Sequence, residues 1–154
     1  MDVLHSGKCL RAVVLISSPP EVKKENIKIT NSVSHFGGQL LTVTHWSESV
    51  NGFMNFNIFL PDIQIDEQRG NPYPALYCLG GLSSNHENFS IKSGFGAYAK
   101  KHRIAVIFPD TSPRNTNIEG VAKDWEFGDS ASFYVDATSE KYQKHFQMFT
   151  YLTK

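Results

Sequence analysis

Apolar positions first alternate along this chain and then run together, and the change marks two kinds of strand. From Gln39 to Trp46, Leu41, Val43 and His45 fall on one face, with Leu40, Thr42, Thr44 and Trp46 on the other. That is the period of two of a β-strand. Ser47 to Gly52 is rich in turn formers. Phe53 to Leu60 alternates again, Phe53/Asn55/Asn57/Phe59 against Met54/Phe56/Ile58/Leu60, and Pro61-Asp62 closes it. Two alternating runs around a short turn predict a hairpin. Residues 62–73 read as a polar loop. Pro74-Ala75-Leu76-Tyr77-Cys78-Leu79 is apolar without alternation, which predicts a strand buried on both faces. Gly80-Gly81 ends it. From Asn88 to His102, Phe89, Phe95, Tyr98 and Ala99 recur at helical spacing. A second buried strand, Ile104 to Phe108, stops at Pro109-Asp110. A long loop runs from Thr111 to about Asp136. An amphipathic helix is predicted from Thr138, with Tyr142, Phe146, Phe149 and Leu152 on one face.

Buried strands alternating with helices after a hairpin predict an α/β domain with a mostly parallel sheet. Only two strands are candidates for the parallel layer, and the last helix has no following strand to return to. The pattern therefore reads as the beginning of a fold. Residues 1–30 carry little periodicity. Pro19-Pro20 and the charged run Glu21 to Glu25 give them the character of a tail that need not be ordered. The domain is expected over 31–154.

Composition narrows the function classes. Fifteen basic residues balance fifteen acidic ones in 154 residues, so nothing in the charge favours nucleic acid or an anionic membrane. No apolar run reaches the roughly 18–20 residues of a membrane span. Ala12 to Ile16 is too short for a secretory signal, and Pro19-Pro20 follows. Cys9 and Cys78 lie far apart with no metal spacing, so a structural disulfide is not expected and a reducing cytosol fits.

Several strings invite a chemical reading. Gly80-Gly81-Leu82 directly follows the first buried strand, the place from which α/β-hydrolases donate one oxyanion N–H; two glycines that merely turn the chain give the same string. A serine hydrolase also needs a G-x-S-x-G elbow, then an acid and a histidine. The nearest string is Gly128-Asp129-Ser130-Ala131-Ser132. No buried strand precedes it, and Asp136 and His145 follow too closely for triad members carried by separate strand ends, so Ser130 is rejected as a nucleophile. Gly94-Phe95-Gly96-Ala97-Tyr98-Ala99 matches a loose dinucleotide fingerprint. No strand precedes it either, and close helix packing explains the small residues better. The six histidines have no metal-ligand spacing. His86 sits just past the Gly-Gly turn, where it could line a pocket, but reads better as a solvated loop residue. Trp125 places an aromatic in the long loop, where pockets are often built.

PALYCLGGL (74–82), ENFSIKSGF (87–95), PDTSPR (109–114), DWEFG (124–128) and FYVDAT (133–138) together resemble the S-formylglutathione hydrolase (esterase D) family in order and spacing. The resemblance covers roughly residues 31–154, close to the first half of a family member. It implies an incomplete α/β-hydrolase fold. It also implies a cytosolic, often dimeric serine hydrolase that needs no cofactor or metal. Such an enzyme cleaves the thioester S-formylglutathione to formate and glutathione, the second step of glutathione-dependent formaldehyde detoxification, and also short acyl esters. By match, the turn of Gly81 and Leu82 would form the oxyanion hole, with the Leu82 N–H as donor. Trp125 would lie near the acyl pocket. Ser84 stands where the family often has a cysteine. The family's G-H-S-M-G-G elbow and its later Asp and His would lie beyond Lys154, so no catalytic residue is assigned and the chain alone is expected to be inactive. A non-catalytic partner of a full-length paralogue, or an inert product, is the alternative.

Overall fold

The computed structural model describes residues 27–61, 73–129 and 131–154. Five strands, β1 (Ile27–His35), β2 (Gly38–Ser47), β3 (Gly52–Leu60), β4 (Ala75–Tyr77) and β5 (Ala105–Pro109), form one sheet in the order β1-β2-β3-β5-β4. Three helices, α1 (His86–Lys92), α2 (Phe95–His102) and α3 (Met148–Thr153), accompany it.

The predicted hairpin is β2–β3, antiparallel from Gln39 opposite Leu60 to Ser47 opposite Gly52. A further strand, β1, pairs antiparallel with β2 and begins at Ile27, inside the segment read from sequence as tail. Its connection to β2 is a two-residue turn in which both Phe36 and Gly37 have positive φ, the hairpin geometry that matches strand twist.

The parallel layer is β4 and β5, which pair with Leu76 opposite Val106. The crossover between them holds α1 and α2. Here the structure corrects two expectations. Residues 88–102 do not form one helix: Gly94 takes φ +66° and separates α1 from α2. And β4, expected to be buried on both faces, is exposed at all three residues. It lies at the sheet edge with a neighbour on one side only, so its apolar side chains have half the cover a central strand would receive. β5, between β3 and β4, is buried at four of its five positions, as expected.

One face of the sheet packs Leu40, Phe59, Val106 and Phe108 with Ala99 of α2. Phe89 and Phe95 meet Phe108 edge-on at 5.8 and 6.4 Å, geometry favoured by the ring quadrupoles. Gly96 is required here, because a Cβ would strike the Phe36 ring. Within the Gly-x-Gly string, Gly96 thus serves close packing and Gly94 the left-handed break between the helices.

The other face carries Val50, Met54 and Met148 with Tyr134 and Tyr151. The helix predicted from Thr138 is also corrected. Residues 139–145 make turns, and regular helix begins at Met148. Backbone pairing displaces it: Ala137 N donates to Phe146 O at 2.7 Å and Met148 N to Val135 O at 3.3 Å. Asp136 then binds Thr150 through N (3.0 Å) and Oγ1 (2.6 Å). Among the described residues no helix is long and apolar enough to cross a membrane.

Candidate active site

The C-terminal ends of β4 and β5 lie side by side, and the chain turns sharply after each. After β4, Ser84 N donates to Gly81 O at 3.1 Å. Ser83 has φ +58°, while Leu82 keeps a negative φ. This is the sign pattern of a type II turn with Leu82 at its second position. In such a turn the first carbonyl is taken by the closing hydrogen bond. The trans peptide it belongs to aims its N–H, that of Leu82, the opposite way. No hydrogen bond among the described residues occupies the N–H of Gly81 or Leu82. The turn leads straight into α1. Asn85 caps that helix by accepting from Asn88 N at 2.8 Å, and Asn88 Oδ1 accepts from Asn85 N at 3.1 Å, the reciprocal arrangement that fixes a helix start.

After β5, Asp110 is 2 % exposed. It accepts from Thr111 N at 2.7 Å and from Arg114 Nε and Nη2 at 2.9 and 2.8 Å, and His86 Nδ1 lies 3.3 Å away. Burial alone would raise the Asp110 carboxyl. Hydrogen bonds from His86 and Arg114, with the Arg114 charge, outweigh it and hold the group below the usual carboxylate range. The guanidinium is fixed in turn. Its bonds to Asp110 strengthen its hold on a proton, and its remaining N–H groups donate to Asp129 O at 2.6 Å and Ser84 O at 3.3 Å. Ser84 O also accepts from Thr111 Oγ1 at 2.6 Å. Ser112 Oγ donates to Gly128 O, and Ser132 Oγ to Thr111 O at 2.6 Å. The Tyr134 hydroxyl donates to Gly80 O at 2.7 Å.

Beside these bonds lies a half-open recess of about 230 Å³ lined by Gly80, Gly81, Leu82, Thr111, Ala131, Ser132, Phe133 and Tyr134. Its walls are mainly apolar. An apolar recess bounded by a rigid turn with unclaimed N–H groups suits an acyl group whose carbonyl oxygen becomes negative during reaction.

Of the residues singled out from sequence, the structure brings Gly81 and Leu82 together at this cavity. It leaves Trp125, 60 % exposed, outside the lining. His86 is a correction: it is buried at 8 % against Asp110, because it opens α1 and faces the end of β5. Ser130 lies outside the described residues. Asp136 is engaged with Thr150, and His145 Nδ1 with Val50 O at 3.0 Å. Cys78 is a free thiol whose pKa burial raises, which suppresses the nucleophilic thiolate. The described residues contain no cluster of His, Cys, Asp and Glu able to hold a metal ion. Sequence reasoning assigned no role to Asp110, Thr111, Arg114, Ser132 or Tyr134. The available signal was an acid immediately after a buried strand with an arginine four residues on.

A sequence model of the esterase family matches residues 47–154, more than two thirds of the chain. S-formylglutathione hydrolase of Bos taurus is 38 % identical over 128 residues, 83 % of this chain and 44 % of that protein. The Arabidopsis thaliana S-formylglutathione hydrolase is 41 % identical over 123 residues, 80 % of this chain and 42 % of that one. Among solved structures, an S-formylglutathione hydrolase from Agrobacterium tumefaciens superposes with a TM-score of 0.73 at 31 % identity, over 82 % of this chain and 44 % of its own. The sheet is accordingly part of an α/β-hydrolase fold. The chain spans less than half the length of these relatives.

Proposed function

The chain belongs to the esterase family, and on that premise we propose that it supplies the oxyanion side of a serine thioesterase site whose whole protein hydrolyses S-formylglutathione to formate and glutathione. The observation that carries this reading is the turn after β4. The Leu82 N–H is set opposite a carbonyl already committed to Ser84 N, at the rim of an apolar cavity. A donor aimed in advance at the developing oxyanion needs no reorganisation during acyl transfer. A cavity of this size suits a small acyl group, in keeping with formyl and short-chain esters. The relatives that carry the name S-formylglutathione hydrolase support the thioester as substrate, and with it a role in formaldehyde catabolism in a reducing cytosol, where a free Cys78 is at home.

The 154 residues contain no G-x-S-x-G string, so by themselves they are expected to be inactive. The N–H that the residue after a nucleophile would contribute is also outside them. A second reading follows from β4, whose exposed edge presents Leu76 and Tyr77. A strand from another polypeptide, such as a full-length paralogue, would pair there.

The test joins this whole chain to the remaining portion of the Agrobacterium tumefaciens enzyme and measures S-formylglutathione hydrolysis. Saturable turnover by the joined protein, with none from the 154 residues alone, is the expected result. A folded joined protein that leaves the thioester intact discards the reading.

A further inference from the structure

The oxyanion turn contains a peptide that its own residues do not hold. Ser84 N fixes the carbonyl of Gly81, and therefore the peptide that carries the Leu82 N–H. The preceding peptide lies between Gly80 and Gly81. With no Cβ on either side, such a peptide can rotate as a unit between several allowed conformations. A Cβ at Gly81 would meet nothing within 4 Å, so packing does not restrain that side. The trailing end of the turn is restrained at Ser84 O by Thr111 and Arg114. At the leading end the Ser84 and Thr111 side chains pack beside Gly80, but the orientation of its carbonyl is held by one hydrogen bond among the described residues, from the Tyr134 hydroxyl at 2.7 Å, 54 residues away in sequence.

The segment that delivers this hydroxyl is itself unusual. Phe133 and Tyr134 have φ +55° and +53° in succession. Non-glycine residues occupy that region at a cost, and such strain persists where the surroundings enforce it. Here they do: Ser132 Oγ donates to Thr111 O at 2.6 Å and accepts from Tyr134 N at 3.4 Å. The strained step lets the chain send the phenol back onto Gly80 while leaving the Phe133 ring 66 % exposed at the cavity.

We propose that Tyr134 is a positioning residue: its hydroxyl holds the Gly80–Gly81 peptide in one orientation, and so keeps the turn that carries the Leu82 N–H in its donating geometry. The catalytic consequence rests on the reading of Leu82 as an oxyanion donor; the positioning itself does not. Because a peptide is planar and trans, capturing the Gly80 carbonyl also fixes the Gly81 N–H pointing the other way. Two successive N–H groups are thereby set, one by the local turn and one by a tyrosine from the following loop. Burial first, and then the nearby Asp110 charge, push the phenol up to about 12. The hydroxyl therefore keeps its proton, and remains a donor, at neutral pH.

The test is ¹⁵N relaxation dispersion on the 154-residue chain labelled at glycine and leucine, comparing wild type with Tyr134→Phe. The expected result is exchange broadening in the variant at Gly81 and Leu82, absent from wild type, with Gly38, Leu40 and Gly52 of the β1–β3 sheet unchanged. Three results overturn the proposal: amides as quiet in the variant as in wild type, exchange spread evenly over all labelled positions, or loss of the fold, since a local role for one hydroxyl predicts none of them. In the joined enzyme the same substitution is expected to lower kcat about tenfold with KM unchanged, the loss of one hydrogen bond's worth of orientation. The two readings fail separately. Local exchange at Gly81 with an inactive joined enzyme keeps the positioning and discards the oxyanion role. Quiet amides in an active enzyme discard the positioning alone.

Discussion

Replacing Arg114 by methionine isolates the interaction that ties the site together. The substitution keeps an unbranched apolar stem and removes the forked cation. Asp110, with 3 % side-chain exposure, then loses its bidentate partner and retains only Thr111 N and His86. Removing one member of a buried pair costs about 3–5 kcal/mol, because the remaining charge is left uncompensated. The Arg114 side chain is 33 % exposed, so water reaches one end of the pair, and the lower figure, about 3 kcal/mol, applies. At about 2–4 °C per kcal/mol for a chain of this length, the midpoint should fall by roughly 6–12 °C.

The acid side gives an independent check. The folded Asp110 carboxyl is held below its unfolded value of about 3.9. Its contribution is therefore present above about pH 4 and is lost as pH falls through the lower folded value. In Arg114→Met the Arg114 share of that depression is lost while the His86 share remains, so the two proteins should draw closer in stability as pH drops. Arg114→Lys should recover only part of the loss, since an ammonium cannot reproduce the fork. Thermal melts at low micromolar concentration across pH 2.5–7 measure both effects. A loss below about 1 kcal/mol, the range of exposed ion pairs, or a constant difference at all pH values, would refute the assignment of Asp110–Arg114 as a buried clamp.

Two further outcomes follow from other parts of the molecule. Leu76→Lys puts a charge on the open edge of β4, where Leu76 is 43 % exposed, and should suppress the concentration-dependent self-association that a bare apolar edge invites; light scattering against concentration reads this, and equal scattering from both proteins would count against edge pairing. His45 Nε2 lies 2.8 Å from the Tyr151 hydroxyl, and burial lowers its pKa below the ordinary histidine value. The unfolded chain therefore takes up the proton first, stability should fall as pH drops below about 6.5, and His45→Gln should remove that part of the pH profile in urea titrations.

How far the fold could be read from sequence depended on whether local pattern or distant partners set each element. β2 and β3 were legible because their side chains alternate between two different surroundings. β1 was not. Ile27, Ile29 and Val33 remain exposed, and the register shifts between Ile29 and Asn31, which breaks the alternation. The helical spacing of Phe89 to Ala99 was real but interrupted, because Gly94 adopts a left-handed conformation. Tyr142 and Phe146 share an aromatic cluster with Phe127, as their spacing suggested, yet pairing of Val135 and Ala137 with the chain ahead of α3 overrode the helix. At the candidate site, the turn of Gly81 and Leu82 could be singled out because two glycines directly after a strand are a local signal. Tyr134 could not, since its partner Gly80 lies 54 residues away; Asp110 and Arg114 pair only four residues apart, but the contacts that tie the pair to the turn, to His86 and Ser84, lie 24 and 30 residues away and only the folded chain makes them.

The most direct test of the central claim is Leu82→Pro in the joined enzyme. Proline suits the second position of a type II turn, so the backbone can keep its path while the one N–H in question disappears. The account predicts that kcat for S-formylglutathione falls by about 10²–10³, the loss typical of one oxyanion donor, with KM and melting temperature nearly unchanged. A variant that folds and retains wild-type kcat would contradict it, and the turn after β4 would then be a structural bend without a part in catalysis.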